Sequence, residues 1–339
     1  VKLSTPQWWY VRDLSARRGG MGTIRAVLTP ISWIWAAVTA RRIARATPVD
    51  PGVPVICIGN VTVGGAGKTP VVRATAERLA ARGHAVHLLS RGYGGRLEGP
   101  VRVDPQRHAS TEVGDEPLML AREFPVWVAR DRAAGAKAAA QAGAQVIVMD
   151  DGHQNPSVKK ALSVVVVDGE TRNHEWPFGD GRVFPAGPMR EPLAAGLARA
   201  DAVLILLPAD LPQTEAGLIR LVAGPTLLTA HLTPAAAMPS GPQLGFAGVG
   251  KPWKVERALQ AAGCELVDFA PFPDHAAYDE PTLTRLAERA KLFGAGLVTT
   301  EKDWVRLPPE WQSRVSPWPV RAEFDDPAAF DALLAGLGL

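Results

Sequence analysis

The chain has 339 residues, 47% of them hydrophobic, two cysteines and a formal net charge of +3. That is enough apolar material for a large core and about two domains, which excludes a disordered or fibrous protein. Cys57 and Cys264 stand far apart, in no metal-like or redox spacing, as expected of buried core thiols in a reducing compartment.

The charge is unevenly placed. Residues 1–45 carry eight cations (Lys2, Arg12, Arg17, Arg18, Arg25, Arg41, Arg42 and Arg45) against Asp13 alone, a net +7, so the rest of the chain sums to −4. The same segment holds Trp8, Trp9, Tyr10, Trp33 and Trp35, and an uncharged run of 15 residues from Ala26 to Ala40 that contains Pro30. A spanning helix needs about 20 apolar residues, so this run is expected to lie on a membrane and not to cross it. Tryptophans beside an apolar stretch sit at head-group depth, and flanking arginines meet lipid phosphates. The long charged stretch before the run and the arginines after it argue against a cleaved signal peptide. An amphipathic helix packed on the next domain is the competing reading, and it has no need of so many cations.

Val53, Val55, Ile56, Cys57 and Ile58 then form a β-branched apolar run, the pattern of a buried parallel strand. Thr62-Val63-Gly64-Gly65-Ala66-Gly67-Lys68-Thr69 follows, and Val71, Val72, Thr75 and Leu79 continue with helical spacing. Strand, glycine-rich loop, Lys-Thr and helix in this order make a phosphate cradle. Backbone N–H groups hold nucleotide phosphates, the lysine reaches the outer ones, and the threonine hydroxyl sits on magnesium. The usual spacing has glycine where this chain has Thr62; here the glycines are shifted inward.

Residues 85–89 read as a second strand ending in Ser90-Arg91-Gly92-Tyr93-Gly94-Gly95, at the strand end where open α/β sheets hold ligands. In Gly114-Asp115-Glu116-Pro117, one acid suits a general base for a hydroxyl nucleophile, and both suit a helix N-terminus. Residues 125–129 form a further strand and 132–142 an alanine-rich helix. The strand at 146–149 runs into Asp150-Asp151-Gly152-His153-Gln154, where a phosphate-loop fold keeps the acid of its magnesium shell. His153 is either a donor to substrate or a turn stabiliser.

After a strand at 162–167, EWPFGDGRVFPAGPMREP has many prolines and glycines and little periodicity, as in an ordered surface loop. Its Arg190 can neutralise charge on a transferring phosphoryl group, or simply pair with Glu191. Residues 202–207 close this half. From about Leu211, strands at 226–231, 243–248, 266–270 and 297–300 alternate with helices at 254–262 and 281–293. The turn Pro273-Asp274-His275 is the His-bearing segment there that is placed for chemistry. TTEKDWVRL approaches a guanine-binding motif, but that motif needs a residue between lysine and aspartate, and Lys302 and Asp303 are adjacent. The expected fold is α/β: a phosphate-loop, mostly parallel sheet flanked by helices. An interfacial helical segment occupies 1–45, the nucleotide-binding domain 46–210 and a smaller α/β domain 211–339. No nucleic-acid-binding module is recognisable.

GNVTVGGAGKTP, SRGYGG, GDEP, DDGHQ, PAGPMREP, FAGVGKP, FPDHAAY and TTEKDWVRL follow one another along nearly the whole chain. In that order they resemble the tetraacyldisaccharide 4'-kinase (lipid A 4'-kinase) family, where the inward-shifted glycines are normal. The resemblance implies transfer of the ATP γ-phosphate to the 4'-hydroxyl of a tetraacyl glucosamine disaccharide 1-phosphate in lipid A biosynthesis, with ATP and Mg2+ bound. It implies that Lys68 holds the β- and γ-phosphates, that Thr69, Asp150 and Asp151 serve the metal, and that Glu191 helps. Asp115 is similar to the family's catalytic base, His275 to the residue that orients or tunes it, and Arg190 would stabilise the transferring group. The two domains would close to bring Asp115 to His275. The implied partners are the anionic glycolipid and, through residues 1–45, the cytoplasmic face of the bacterial inner membrane. The protein would be peripheral, with no spanning helix, no nucleic acid and no obligate protein partner. Asp180 and Lys251 depart from the expected family pattern. A soluble small-metabolite kinase is the nearest alternative, and for it the loss of residues 1–45 would be immaterial.

Overall fold

The chain is described by a computed structural model at residues 6–10, 21–172 and 174–339; Lys2, Arg12, Asp13, Arg17 and Arg18 lie outside the described residues. At the centre is β1 (Val55–Gly59), buried at every position and parallel to β5 (Val146–Asp150) on one side and β6 (Leu162–Asp168) on the other. A strand covered on both faces carries a continuous apolar run and no alternation, which is what VICIG is. Beyond β5 come β2 (Val86–Ser90), β4 (Val126–Val128) and the antiparallel β3 (Val101–Arg102). Beyond β6 come β7 (Ala202–Pro208), β8 (Thr226–Pro234) and the antiparallel β13 (Val320–Phe324). A second, parallel sheet runs β10 (Leu266–Pro271), β9 (Gln243–Ala247), β11 (Gly296–Thr300) and β12 (Val315–Trp318).

The sheets do not divide at residue 210. β8 and β13, expected in the smaller domain, hydrogen-bond into the larger sheet, and the helix Pro327–Ala335 adds Phe330 and Leu334 to its core. Apolar runs announce strands without naming the sheet they join. The smaller sheet is thus an insertion between β8 and β13.

Helix α1 (Met21–Arg45) is longer than the uncharged run, with Arg42 and Arg45 in its last turn, where cations favour the helix dipole. By length and composition alone it is long and apolar enough to cross a membrane. One stripe of it is nonetheless held by the body. Arg25 Nη1 reaches Asp180 Oδ2 (2.7 Å), Ser32 Oγ accepts from Ala186 N–H (3.1 Å), Trp35 Nε1 donates to the Arg190 carbonyl (3.1 Å), and Arg42 Nη2 to that of Gln154 (3.4 Å). Ile24, Val27, Ile31, Trp33, Ile34 and Val38 are exposed. Helix α2 (Lys68–Ala81) covers one face of the large sheet, burying Val71, Val72, Ala76 and Leu79 against Ile56, Ile58 and Val148.

Candidate active site

The carboxyl end of β1 delivers the phosphate loop. Gly64 (φ +99°) and Gly67 (φ +74°) take left-handed conformations, and a Cβ at Gly67 would collide with Leu206 Cδ2. α2 begins at Lys68 with no side-chain cap, which leaves its first N–H groups available to an anion. The Thr62 and Val63 end is held from outside: the Thr62 carbonyl accepts from Arg190 Nε (2.8 Å), Val63 N–H donates to the Pro188 carbonyl (2.7 Å), and the Val63 carbonyl accepts from the Tyr10 hydroxyl.

At the end of β5, Asp151 has φ +54°, a conformation aspartate tolerates better than most side chains. Its Oδ1 lies 3.6 Å from Lys68 Nζ, and Arg190 clasps both its oxygens (2.6 and 3.0 Å). Burial opposes its ionisation, but Lys68 and Arg190 hold its carboxyl well below the usual range. Asp150 is 3% exposed and its Oδ1 has no hydrogen-bond partner. Burial, with Glu116 nearby, raises its carboxyl to about 7. An orphaned buried carboxylate oxygen beside a phosphate loop is what a hard cation relieves.

Glu191, expected to help at the metal, is held by two side chains. Arg199 Nη2 donates to both its oxygens (2.7 Å each), and Gln154 Nε2 to Oε1 (2.9 Å). Gln154 also reaches the Asn60 carbonyl (2.8 Å), tying Glu191 to the loop's root. Among the described residues no three acids, histidines or cysteines converge on one point. The His153 ring is buried and links β6 to the helix Leu193–Leu197. Its ring lies between Ser163 Oγ and the Gly196 carbonyl, 2.9 Å from each, and burial lowers it to about 4.

Asp115 opens the helix Asp115–Leu120 behind Gly114 (φ +91°) and is 3% exposed. Its Oδ1 accepts from the Glu116 N–H (3.0 Å) and its Oδ2 lies 2.9 Å from His275 Nδ1. His275 stands in the turn after β10 with φ +56°, and the Tyr93 ring packs against it at 5.2 Å. Burial opposes ionisation of Asp115, yet the His275 hydrogen bond, with Lys302 and Arg306, brings its carboxyl down to about 2.

The smaller sheet reaches the phosphate loop as well. A Cβ on Gly250, in the turn after β9, would stand 3.7 Å from Gly65 N. Beside it, Lys251 (3.1 Å) and Lys254 (2.7 Å) grip Asp168 at the end of β6, and Lys251 Nζ lies 4.3 Å from the Tyr10 ring centroid. Arg199, Arg306, Lys302 and Tyr10 were not singled out by the sequence as site residues. Arg306 and Lys302 sit inside TTEKDWVRL, a segment whose signal was there to be followed.

A phosphate loop at the end of a central parallel strand, acids ending the next strand, and an acid–histidine pair between two sheets define a phosphate-loop phosphotransferase. The family model described as tetraacyldisaccharide-1-P 4'-kinase matches residues 24–337. The tetraacyldisaccharide 4'-kinase of Phenylobacterium zucineum is 69% identical over 337 residues, covering 99% of this chain and 100% of that protein. That of Caulobacter vibrioides is 66% identical over 340 residues, covering 100% of both. In fold the chain matches LpxK from Aquifex aeolicus, solved in complex with ATP, with a TM-score of 0.72 over 93% of this chain and 99% of that one at 23% identity. The chain belongs to the tetraacyldisaccharide-1-P 4'-kinase family and is a kinase.

Proposed function

We propose that this kinase transfers the γ-phosphate of ATP to the 4'-hydroxyl of a tetraacyl glucosamine disaccharide 1-phosphate, with Asp115 receiving the hydroxyl proton. The observation that carries the reading is the 2.9 Å contact between Asp115 and His275, which joins the larger sheet's domain to the inserted one. As the acceptor oxygen bonds to the γ-phosphorus, the bond from phosphorus to the β–γ bridging oxygen breaks and ADP leaves with that electron pair. A carboxylate held at about 2 is a weak base. It suffices because the transition state is loose and the hydroxyl gives up its proton late. His275 fixes the direction of the carboxylate. Lys68 and the N-terminus of α2 hold the phosphates, and the γ-phosphate competes with Asp151 for Arg190. Mg2+ held by Thr69, Asp150 and Asp151 would neutralise charge on the β- and γ-phosphates, and the orphaned Asp150 oxygen fits that group.

The same reading puts the enzyme peripherally on the cytoplasmic face of the inner membrane, with the exposed side of α1 in the interface. A spanning α1 would abandon the contacts of Arg25, Ser32, Trp35 and Arg42. The test is transfer from γ-labelled ATP to purified tetraacyl disaccharide 1-phosphate in detergent micelles, with Lys68→Ala and Asp115→Asn beside the wild type. Label on the lipid from wild type alone supports the reading. Wild type that hydrolyses ATP and labels no lipid sinks it.

A further inference from the structure

The turn after the helix Glu301–Trp304 carries Arg306, whose side chain is 7% exposed. Its guanidinium is spread over several acceptors. Nη2 donates to the Gly248 carbonyl (2.9 Å) and to Asp303, Nη1 to the Ala276 carbonyl (3.0 Å), and Nε to the Lys302 carbonyl (3.2 Å). Nε also lies 3.6 Å from Asp115 Oδ2. Two of these acceptors bracket His275. The Gly248 carbonyl also accepts from the His275 backbone N–H (3.1 Å), and Ala276 is the next residue in the chain.

Asp303 completes the grip, accepting from Gly248 N–H (2.9 Å) and the Tyr278 hydroxyl (2.6 Å). A Cβ on Gly248 would stand 2.8 Å from Tyr278 Oη and 3.0 Å from the Pro273 carbonyl, so the packing there is tight. Left-handed backbone at a residue such as His275 (φ +56°) persists only where the surroundings over-determine it. Arg306 and Asp303 are part of those surroundings.

We propose that Arg306 is a positioning residue of the phosphotransfer: its one guanidinium fixes the His275 turn of the inserted domain while facing Asp115 of the larger one. This rests on the assignment of Asp115 as the proton acceptor. A lysine cannot replace it, because the role needs a planar fork with donors pointing in several fixed directions, and an ammonium is a point charge on a flexible stem. Lys302 offers no substitute, since its ammonium is directed at Glu116 (3.2 Å) and Asp274 (3.6 Å).

The full chain is assayed on the micellar acceptor as wild type, Arg306→Lys, Arg306→Ala, Asp115→Asn and the Arg306→Ala/Asp115→Asn double variant. Both Arg306 variants are expected to lose about a hundredfold in kcat, the cost of a misplaced reacting group, with the ATP KM nearly unchanged. Dilute guanidinium is expected to restore part of the Arg306→Ala rate. In the Asp115→Asn background the Arg306→Ala loss should shrink to about threefold or less, because the two act as one unit. Wild-type kcat in Arg306→Lys, or an undiminished loss in the double variant, overturns the proposal. An undiminished kcat in Asp115→Asn overturns the proton-acceptor assignment itself and takes this role with it. Should Arg306→Ala fail to fold, Arg306→Lys and its own double with Asp115→Asn decide.

Discussion

Asp150 and Asp115 are two buried acids with opposite electrostatics. Asp115 faces cations and stays ionised, so Asp115→Asn is expected to lower kcat about 10²- to 10⁴-fold with little change in the KM for ATP; steady-state assays on the micellar acceptor check this. Asp150 is buried with an orphaned oxygen and raised to about 7. An acid raised above its ordinary value stabilises the fold while protonated. That contribution is fully present below about pH 4 and is lost as pH rises through about 7. Asp150→Asn should therefore stabilise the ligand-free chain by ~1–3 kcal/mol at about pH 8 and by little at about pH 5, while it lowers activity. Thermal unfolding at the two pH values measures it, and equal gains at both would contradict the reading. The cradle and the acids after β5 were legible in the residues, because loop, helix and strand end are local in sequence. The Asp115–His275 pair was implied only by resemblance. TTEKDWVRL marked the segment that carries Arg306, but the residue's role stayed hidden because its acceptors are mostly backbone carbonyls, which leave no trace in side-chain pattern.

The elements themselves were mostly legible, since buried strands and apolar helix faces write their own periodicity. Their company was not. β8 carries an ordinary strand pattern, and only its register beside β7 assigns it to the larger sheet. α2 depends on one backbone position: Gly67 is left-handed and packed against Leu206. Gly67→Ala is expected to cost about 2 kcal/mol or more in ATP affinity or stability, read by nucleotide titration alongside circular dichroism. α1 depends on Asp180, one of the two positions outside the expected family pattern, which faces Arg25, itself 1% exposed. Asp180→Ala should weaken the docking of α1 by ~1.5–3 kcal/mol, seen as faster proteolysis within residues 21–45. Unchanged cleavage would mean that the ion pair does not hold the helix.

Acids of the larger domain hold the inserted one, among them buried Asp115 and half-buried Asp168. Asp115 meets His275, and Asp168 meets Lys251 and Lys254. Burial opposes ionisation of Asp168, but the two lysines outweigh it and hold its carboxyl well below the usual range. Acids depressed in the folded state contribute stability that is fully present above their ordinary value and is lost as pH falls through the folded one. The two domains are expected to stay together from neutral pH down to about pH 4 and to part below it, which small-angle scattering across that range would follow; separation near neutral pH would refute it. Lys251, the other position outside the expected pattern, also lies over the Tyr10 ring, and the Tyr10 hydroxyl meets the phosphate loop at Val63 while Trp35 meets the carbonyl of Arg190. Tyr10 and α1 therefore brace the phosphate loop, whatever surface the exposed side of α1 meets. Trimming the leading segment away to obtain a well-behaved soluble kinase would strip donors from two carbonyls at the phosphate site, and the shortened enzyme would be slow even toward an acceptor that never sees a bilayer.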